Sequence, residues 1–262
     1  KTYLSLTSIY DKQDYLLKTL HTIKNQNVLP NKCYIYLSEE PYLLDKGFKN
    51  KKLNEDLLTF INSNDIFEIK WVQNIGPYRK LLFLLKEKWD EDCIILTIDD
   101  DILYNTNIVK DYINDYNKYK CCISYRGFTP NFQEKDFSDF GYNKRKNTHL
   151  KSIFNFANSG VGMVTHPSFF HKTGNLIFNE NVYKSLCNTG DDIWYYFCRI
   201  ANRIDTVIIN KPNHFNFLSL KNECALFLKY NSKTNDETKN DVNTDNIRNV
   251  AKYFIEHNFI KQ

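Results

Sequence analysis

The stretch Cys93-Ile-Ile-Leu-Thr-Ile-Asp-Asp-Asp-Ile-Leu-Tyr104 joins a continuous apolar run to three adjacent carboxylates. Such a run is typical of a strand that is covered on both faces. Asp99, Asp100 and Asp101 follow it, at the carboxyl end where ligands of open α/β sheets bind. Left unneutralised, the three would raise one another's pKa values, so they favour a bound divalent cation. The alternative is a solvated acidic turn that caps the next helix.

Strand-like and helix-like patterns alternate on both sides of this stretch. Strands are predicted around residues 3–9, 33–37, 67–71, 120–125, 161–165 and 206–210. Helical patterns lie between most of them, and a terminal helix is predicted to follow Asn246. Repeated alternation predicts an α/β fold with a mostly parallel central sheet and helices on both sides. The periodicity fails over 126–156, which predicts a long, aromatic-rich loop over a site.

The composition excludes several function classes. The 262 residues include 35 Lys+Arg and 31 Asp+Glu, and the bases are scattered rather than blocked, which argues against a nucleic-acid partner. Seven cysteines without a paired CxxC spacing predict reduced core thiols rather than a zinc framework. No stretch approaches the roughly 20 apolar residues of a membrane span, so we expect a soluble domain.

The domain organisation follows from the length and the ends of the sequence. At about 150 residues per domain, one large domain or two small ones are allowed, and the absence of a linker favours one, residues 1–262. The only methionine is Met163, and the sequence opens at Lys1 on a strand-like run. We therefore expect this domain to be part of a longer protein.

The order of the motifs resembles one known family. Hydrophobic-Asp-Asp-Asp-hydrophobic-hydrophobic-Tyr resembles the DXD motif of GT-A-fold glycosyltransferases (family 2-like), particularly the bacterial enzymes that build capsular and lipopolysaccharide glycans. Further similar motifs occur in order: Leu6-Thr-Ser-Ile-Tyr10, Asn74-Ile-Gly-Pro-Tyr-Arg-Lys80, Asn158-Ser-Gly-Val-Gly162 and Thr189-Gly-Asp-Asp-Ile-Trp194. The resemblance spans residues 3–236. It implies a Rossmann-like GT-A fold with a nucleotide-sugar half, 1–105, and an acceptor half, 106–262.

The resemblance also implies roles for individual residues. Asp101 would bind Mn²⁺ or Mg²⁺ on the donor diphosphate, with Asp99 contacting the ribose or the water shell of the metal. A late histidine completes the metal site in some relatives, which makes His214 a candidate ligand; a loop histidine bonded to backbone is the alternative. The residues expected on the nucleotide side are Thr7, Ser8, Tyr10, Asn74, Gly76, Lys80, Asp99 and Asp100. A surface lysine at a helix start is an equally good interpretation of Lys80.

The acidic pair Asp191-Asp192 has two interpretations. Two carboxylates in a first helical turn are favoured by the helix dipole, and Thr189 with Asp192 fits a capping box. In an inverting transferase, one carboxylate must take the proton from the acceptor hydroxyl as that hydroxyl attacks the anomeric carbon. The resemblance makes Asp192 the first choice for this base and Asp191 the second. Both interpretations hold together if the cap fixes the position of the base.

Partners and location follow from the resemblance as well. We expect a nucleotide-diphosphate sugar, most simply a UDP-sugar, as donor and a glycan or lipid-linked saccharide as acceptor. A cytoplasmic protein is expected, with the inner face of the cytoplasmic membrane as a place of peripheral association. Aromatic faces stack on sugar rings, and the candidates nearest the predicted site are Tyr125, Phe128 and Trp194. His166 and His171 flank an aromatic pair and are expected to pack or to contact the acceptor.

Two other function classes stay open. A haloacid-type phosphatase or a nucleotidyltransferase also places aspartates after a strand and would use the same metal site at 99–101. The phosphatase normally opens its fold with Asp-x-Asp, whereas this motif comes about a hundred residues into the chain; the nucleotidyltransferase needs a glycine-rich basic loop after its first strand, and none is found. A non-catalytic glycan-binding domain is the third class, and the intact acidic motifs argue against it.

Overall fold

The computed structural model describes residues 1–130, 148–218, 225–231 and 241–260. The strands in these ranges are β1 (Thr2–Thr7), β2 (Lys32–Leu37), β3 (Phe67–Trp71), β4 (Ile94–Thr97), β5 (Ile102–Tyr104), β6 (Cys122–Ser124), β7 (Gly127–Phe128), β8 (Thr148–Ser152), β9 (Phe156–Ala157), β10 (Met163–Thr165), β11 (Thr206–Ile208) and β12 (Phe215–Phe217). The α-helices are α1 (Gln13–Lys24), α2 (Glu55–Asn62), α3 (Leu82–Glu87), α4 (Ile108–Tyr119), α5 (Glu180–Cys187), α6 (Asp191–Asn202) and α7 (Val242–Glu256).

Eight strands form the central sheet in the order β3-β2-β1-β4-β10-β6-β11-β8. The pairs β3–β2, β2–β1, β1–β4 and β6–β11 are parallel, and β10 and β8 run antiparallel to their neighbours. Helices flank this mostly parallel sheet, which confirms the predicted α/β class. The short pairs β5–β12 and β7–β9 lie outside it.

Strand β4, the apolar run before the acidic triplet, lies inside the sheet and is buried on both faces. All four residues of β4 are buried; Ile95 packs in the core on one face, and Ile94 and Leu96 pack in the core on the other. Helices α1, α2 and α4 cover the second face, and α3, α5, α6 and α7 cover the first. The continuous apolar run correctly predicted a strand covered on both faces, because such a strand has no solvent-exposed side on which polar residues would alternate.

Several details differ from the sequence predictions. The last helix begins at Val242, within the polar stretch that was predicted to precede it, and Asp241 caps it by accepting a hydrogen bond from the backbone of Thr244. The predicted loop over 126–156 lies largely on residues outside the described ranges, but its ends form β7, β8 and β9. In the described part of the chain, no helix is long and apolar enough to span a bilayer. The six cysteines described there are buried free thiols, as expected.

Candidate active site

A cavity of about 660 Å³ opens beside the carboxyl ends of β1 and β4. The parallel pairing of these two strands brings their following turns together, so that residues after β1 face the acidic triplet after β4. The residues of the wall that carry polar or charged side chains include Thr7, Ser8, Lys12, Asp45, Arg79, Lys80, Asp99, Asp100, Asp101, Arg126, Asn158, Thr189, Asp191, Asp192, Asn231 and Asn243. Both acidic motifs singled out in the sequence therefore line one cavity.

The three carboxylates of the triplet have different surroundings. Asp100 is buried, and it accepts hydrogen bonds from Ser8 Oγ at 2.5 Å and from Lys12 Nζ at 3.3 Å. Asp101 Oδ2 lies 2.8 Å from Lys12 Nζ, while the side chain of Asp99, 36% exposed, accepts from Lys80 Nζ at 3.0 Å. Asp100 is thus an internal anchor between β1 and β4, whereas Asp99 presents its carboxylate to the cavity.

Crowding changes the pKa values of Asp101 and Lys12. Burial raises the pKa of Asp101 to about 6, and repulsion from Asp100 adds to this, while Lys12 opposes it. Burial by itself would lower the pKa of Lys12, but attraction to Asp100 and Asp101 outweighs burial and raises it. Lys12 therefore stays protonated and supplies the positive charge that lets the two carboxylates lie side by side.

Asp192 is held by the turn that follows β9. Its Oδ1 accepts from the backbone N–H of Ser159, and its Oδ2 accepts from Asn158 Nδ2, each at 3.0 Å. The expected capping box is wrong: Gly190 is the N-cap of α6, and Thr189 Oγ1 bonds to Asn231 instead. Asp192 is therefore fixed by tertiary contacts, and its role does not reduce to capping its own helix.

Asp191 lies deeper and contacts the second lysine. Its Oδ2 is 3.6 Å from Lys80 Nζ. Burial raises the pKa of Asp191 to about 7 against the attraction of Lys80, and repulsion from Asp192 contributes. Burial also raises the pKa of Asp192, although Lys80 and the hydrogen bonds from Ser159 oppose the shift. Burial thus raises the pKa of both carboxylates, and Lys80 opposes the rise in each.

The nucleotide-side candidates divide into two groups. Thr7, Ser8, Gly76 and Lys80 line the cavity with Asp99 and Asp100. Gly76 has a φ of 63°, which L-residues rarely adopt, so the backbone conformation favours glycine at this position.

Tyr10 and Asn74 are not among the residues that line the cavity. The Tyr10 ring is 42% exposed and packs edge-on against Phe48. Asn74 is buried behind the wall, where its Nδ2 donates to Asp45 Oδ2 and its Oδ1 accepts from the backbone N–H of Gly76. Both residues support the wall rather than reach the ligand space.

The structure does not bring His214 to the cavity. Its Nε2 lies 2.6 Å from Asp111 Oδ2 on α4, and His214 is absent from the wall. Within the described ranges, no group of three His, Cys, Asp or Glu side chains converges on one point as a metal site. A cation at this cavity would therefore take at most two carboxylates from these residues and its other ligands from a bound molecule or water.

Two of the three aromatic candidates are core residues. Trp194 is fully buried and donates its indole N–H to the carbonyl of Ile177 at 2.9 Å; Tyr125 is fully buried and stacks on Tyr112. The expectation that they stack on sugars is wrong, because neither ring is accessible. Phe128 does line the cavity, stacked on Phe156. His166 and His171 bond to Asp92 and to the carbonyl of Trp89, away from the wall.

The wall residues that were missed from the sequence include Lys12, Arg79 and Asp45. Lys12 contacts Asp100 and Asp101, and Arg79 forms a buried ion pair with Asp45 at 2.9 Å. Burial lowers the pKa of Arg79, while Asp45 opposes the shift. Arg79 is adjacent to Lys80 in a motif already singled out, so it could have been found. Lys12 and Asp45 could not, because they lie in ordinary polar stretches and gain their partners only through the fold.

Comparisons with known proteins bear on the fold. No protein-family model and no curated protein matches the sequence. Among solved structures, S. aureus TarS 1–349 in complex with UDP matches with a TM-score of 0.52 at 12% identity, over 85% of this chain and 62% of that one. The same fragment with UDP-GlcNAc gives 0.51 at 12% identity, over 84% and 59%.

A longer S. aureus TarS structure gives a TM-score of 0.52 at 13% identity, over 85% of this chain and 37% of that chain. This chain therefore spans less than two thirds of each of these proteins. At such low identity the likeness concerns the path of the chain and not the side chains. It confirms the fold expected from the motifs: this chain has a GT-A-like fold.

Proposed function

We propose that this chain is a glycosyltransferase that moves a sugar from a nucleotide-diphosphate donor to an acceptor hydroxyl. The observation that carries the proposal is the meeting of both acidic motifs in one cavity: Lys80 Nζ lies 3.0 Å from Asp99 and 3.6 Å from Asp191. Glycosyl transfer uses carboxylates in two places: at the leaving diphosphate, where they bind a cation, and at the acceptor hydroxyl, where one takes the proton. A UDP-sugar is the proposed donor, supported by the crystallisation of S. aureus TarS with UDP and UDP-GlcNAc.

A divalent cation fits the donor end of the cavity. Asp99 and Asp101 offer hard oxygen ligands, and the crowding that raises the pKa of Asp101 would be relieved by added positive charge. Mg²⁺ and Mn²⁺ suit such oxygen ligands, and Mg²⁺ is commonly bound through one or two carboxylates with substrate phosphates completing the shell. When bound, the cation would stabilise negative charge on the leaving diphosphate. Its proposed ligands in this chain are Asp99 and Asp101.

The proposed base is Asp192. Asp192 lines the cavity, and hydrogen bonds from Asn158 and Ser159 to its two oxygens fix its orientation. Asp192 takes the proton of the acceptor hydroxyl while that oxygen bonds to the anomeric carbon. The bond from this carbon to the diphosphate oxygen breaks, and the diphosphate leaves with the electron pair. A base opposite the leaving group gives inversion.

The acceptor is proposed to be a glycan or a lipid-linked saccharide. Thr189, Asn231 and Asn243 line the cavity at the α6 end with neutral polar side chains, which suit hydroxyl-rich ligands. A lipid-linked acceptor would require the protein to work at the surface of a membrane, and we propose the inner face of the cytoplasmic membrane for this.

The proposal is tested first by binding and product release. UDP with Mn²⁺ should raise the melting temperature; at 100 times Kd the stabilisation is about 2.7 kcal/mol. A panel of UDP-sugars should then yield UDP with at least one donor. Release of inorganic phosphate or pyrophosphate instead would favour the phosphatase or nucleotidyltransferase alternative. Absence of binding both with and without metal would overturn the proposal and favour a non-catalytic module.

Single substitutions separate the two ends of the cavity. Asp192→Asn should lower kcat by about 10²- to 10⁴-fold, the contribution of a general base, and leave the UDP-induced rise in melting temperature intact. Asp101→Asn should reduce that rise in the presence of Mn²⁺. Asp65→Asn, at an exposed position outside the cavity, is the matched control and should change neither measurement. Full activity of Asp192→Asn would remove it from the role of base.

A further inference from the structure

Lys80 is a nearly enclosed ammonium between the two acidic motifs. Its side chain is 8% exposed, and its Nζ contacts Asp99 Oδ1 at 3.0 Å and Asp191 Oδ2 at 3.6 Å. The backbone there is anchored as well, because Ser5 Oγ on β1 donates to the carbonyl oxygen of Lys80 at 2.5 Å. One fixed positive charge thus links the turn after β4 to the start of α6.

The turn at 158–160 forms a second connection between the two acidic motifs, so that the motifs, Lys80 and this turn make a closed ring of contacts. The turn at 158–160 binds Asp192 through Asn158 Nδ2 and the N–H of Ser159. The carbonyl of Gly160 accepts from the N–H of Asp99 at 3.0 Å, and the Asp99 carboxylate stands where a Cβ on Gly160 would be. The donor-side and acceptor-side carboxylates are therefore held together on one side by this turn and on the other by Lys80.

The charges in this ring make Lys80 necessary to its geometry. Asp99, Asp191 and Asp192 bring three carboxylates to one partly dry region, where Lys80 Nζ lies 3.0 Å from Asp99 and 3.6 Å from Asp191. Removing one partner of a buried charge pair leaves the other uncompensated. Without Lys80, repulsion would push Asp191 away from Asp99, whose backbone N–H stays bonded to the carbonyl of Gly160, and the first turn of α6 would shift with Asp191.

We propose that Lys80 is a positioning residue, which sets the distance between the donor-side carboxylate and the base without being a ligand of the nucleotide. This inference rests on the proposed transfer reaction. It assigns to Lys80 a role different from the nucleotide contact expected from the sequence. A misplacement of the base by about 1 Å is enough to reduce turnover roughly 100-fold.

The test compares turnover with donor binding. Lys80→Met should lower kcat about 100-fold while the donor KM and the UDP-induced rise in melting temperature change less than about threefold. Lys80→Arg, which keeps the charge, should restore part of the lost turnover. Lys86→Met, at an exposed position on α3, is the control and should behave as the unaltered chain does. A large rise in donor KM, or loss of the UDP effect, with kcat preserved would overturn the inference.

A double-mutant cycle covers the case in which Lys80→Met is unstable. Lys80→Met combined with Asp191→Asn removes two groups that contact each other, so it should melt at a higher temperature than Lys80→Met alone. The effect of Lys80→Met on kcat should also be smaller in the Asp191→Asn background; strictly additive effects would contradict the inference. If the unaltered chain neither binds UDP nor releases it from a donor, the proposed function itself fails, which is a distinct outcome.

Discussion

At the scale of single residues, two lysines pair with four of the aspartates that line the cavity. Lys12 lies beside Asp100 and Asp101, and Lys80 lies beside Asp99 and Asp191. A buried carboxylate without a counter-charge would take up a proton, because desolvation penalises the ionised form. The lysines thus preserve negative charge where a cation and an acceptor hydroxyl require it.

The coupled pair Asp191 and Asp192 predicts a pH dependence. Burial raises the pKa of both, for Asp191 to about 7, and the base must be ionised to act. We therefore expect kcat/KM to rise with pH and to level off at a higher pH than an ordinary aspartate would give, since a raised pKa moves the protonated range upward. A pH–rate profile, measured with the UDP-sugar donor at saturation and the acceptor varied, tests this expectation.

The variant Asp191→Asn tests the coupling directly. The two carboxylates repel each other, and Lys80 attracts both. Removing the charge of Asp191 should therefore lower the pKa of Asp192. The acid limb of the profile should move to lower pH. An unchanged or upward-shifted limb would show that Asp191 does not set the protonation of the base.

Trp194 gives a prediction that separates packing from sugar contact. Trp194→Phe removes the bond to the carbonyl of Ile177 and leaves that buried acceptor unsatisfied, which costs about 1–3 kcal/mol. The free energy of unfolding from urea titration should fall by this amount, and the acceptor KM should stay constant. A raised acceptor KM with unchanged stability would restore the stacking role.

At the scale of elements, the site is assembled by turns that follow strands. The turn after β4 supplies the acidic triplet, the segment at 158–160 precedes β10, and α6 begins at Asp191. Strands β4 and β10 are neighbours in the sheet. The sheet therefore fixes where each turn begins, and the side-chain contacts between turns fix the final distances.

Gly160 tests this arrangement. A methyl group there would lie 2.3 Å from Asp99 Oδ2, so Gly160→Ala should displace the Asp99 carboxylate and weaken UDP–Mn²⁺ binding with little loss of overall fold. Thermal shift with UDP and Mn²⁺ measures the effect. Gly174→Ala is the comparison: its methyl group has open space, and only the backbone conformation, φ 56° and ψ −132°, is unfavourable, by about 1–3 kcal/mol, so UDP–Mn²⁺ binding should be retained. Equal UDP binding by both variants would contradict the expectation.

At the scale of the whole molecule, the end of the chain completes the face of the sheet that carries α6. The terminal helix α7 buries Ile247, Val250 and Phe254 against α5 and α6, and Asn243 from its first turn lines the cavity. Phe254 lies edge-on to Trp194, with ring centres 5.3 Å apart. The helix with the acidic pair is thus packed between the sheet and the last segment of the chain.

Phe254 should therefore contribute strongly to stability. Phe254→Ala removes a fully buried ring, which costs about 3–5 kcal/mol. For a chain of this size the melting temperature should fall by about 6 °C or more. Leu58→Ala on α2, where the side chain is 41% exposed, is the control and should change the melting temperature much less. Similar shifts in both variants would show that α7 is not part of the cooperative unit.

The sequence by itself determined the strand and helix alternation and the position of the acidic motifs. The apolar run of β4 and the following triplet are local signals, since burial on both faces leaves its mark in consecutive residues. The short strands β5, β7, β9 and β12 could not be predicted from the sequence, because two or three residues are too few to show a hydrophobic periodicity. Their pairing depends on hydrogen bonds to distant segments.

Only the tertiary structure decided which groups the acidic residues contact. Thr189 and Asp192 have the spacing of a capping box, yet Asn231 and the turn at 158–160 provide their partners. Lys12 and Lys80 are two of 35 basic residues in the sequence, and nothing local distinguishes Lys12. Electrostatic and hydrogen-bond energies depend on distance through space, so the lysines acquired their roles only when β1 and β4 aligned and α6 packed beside them.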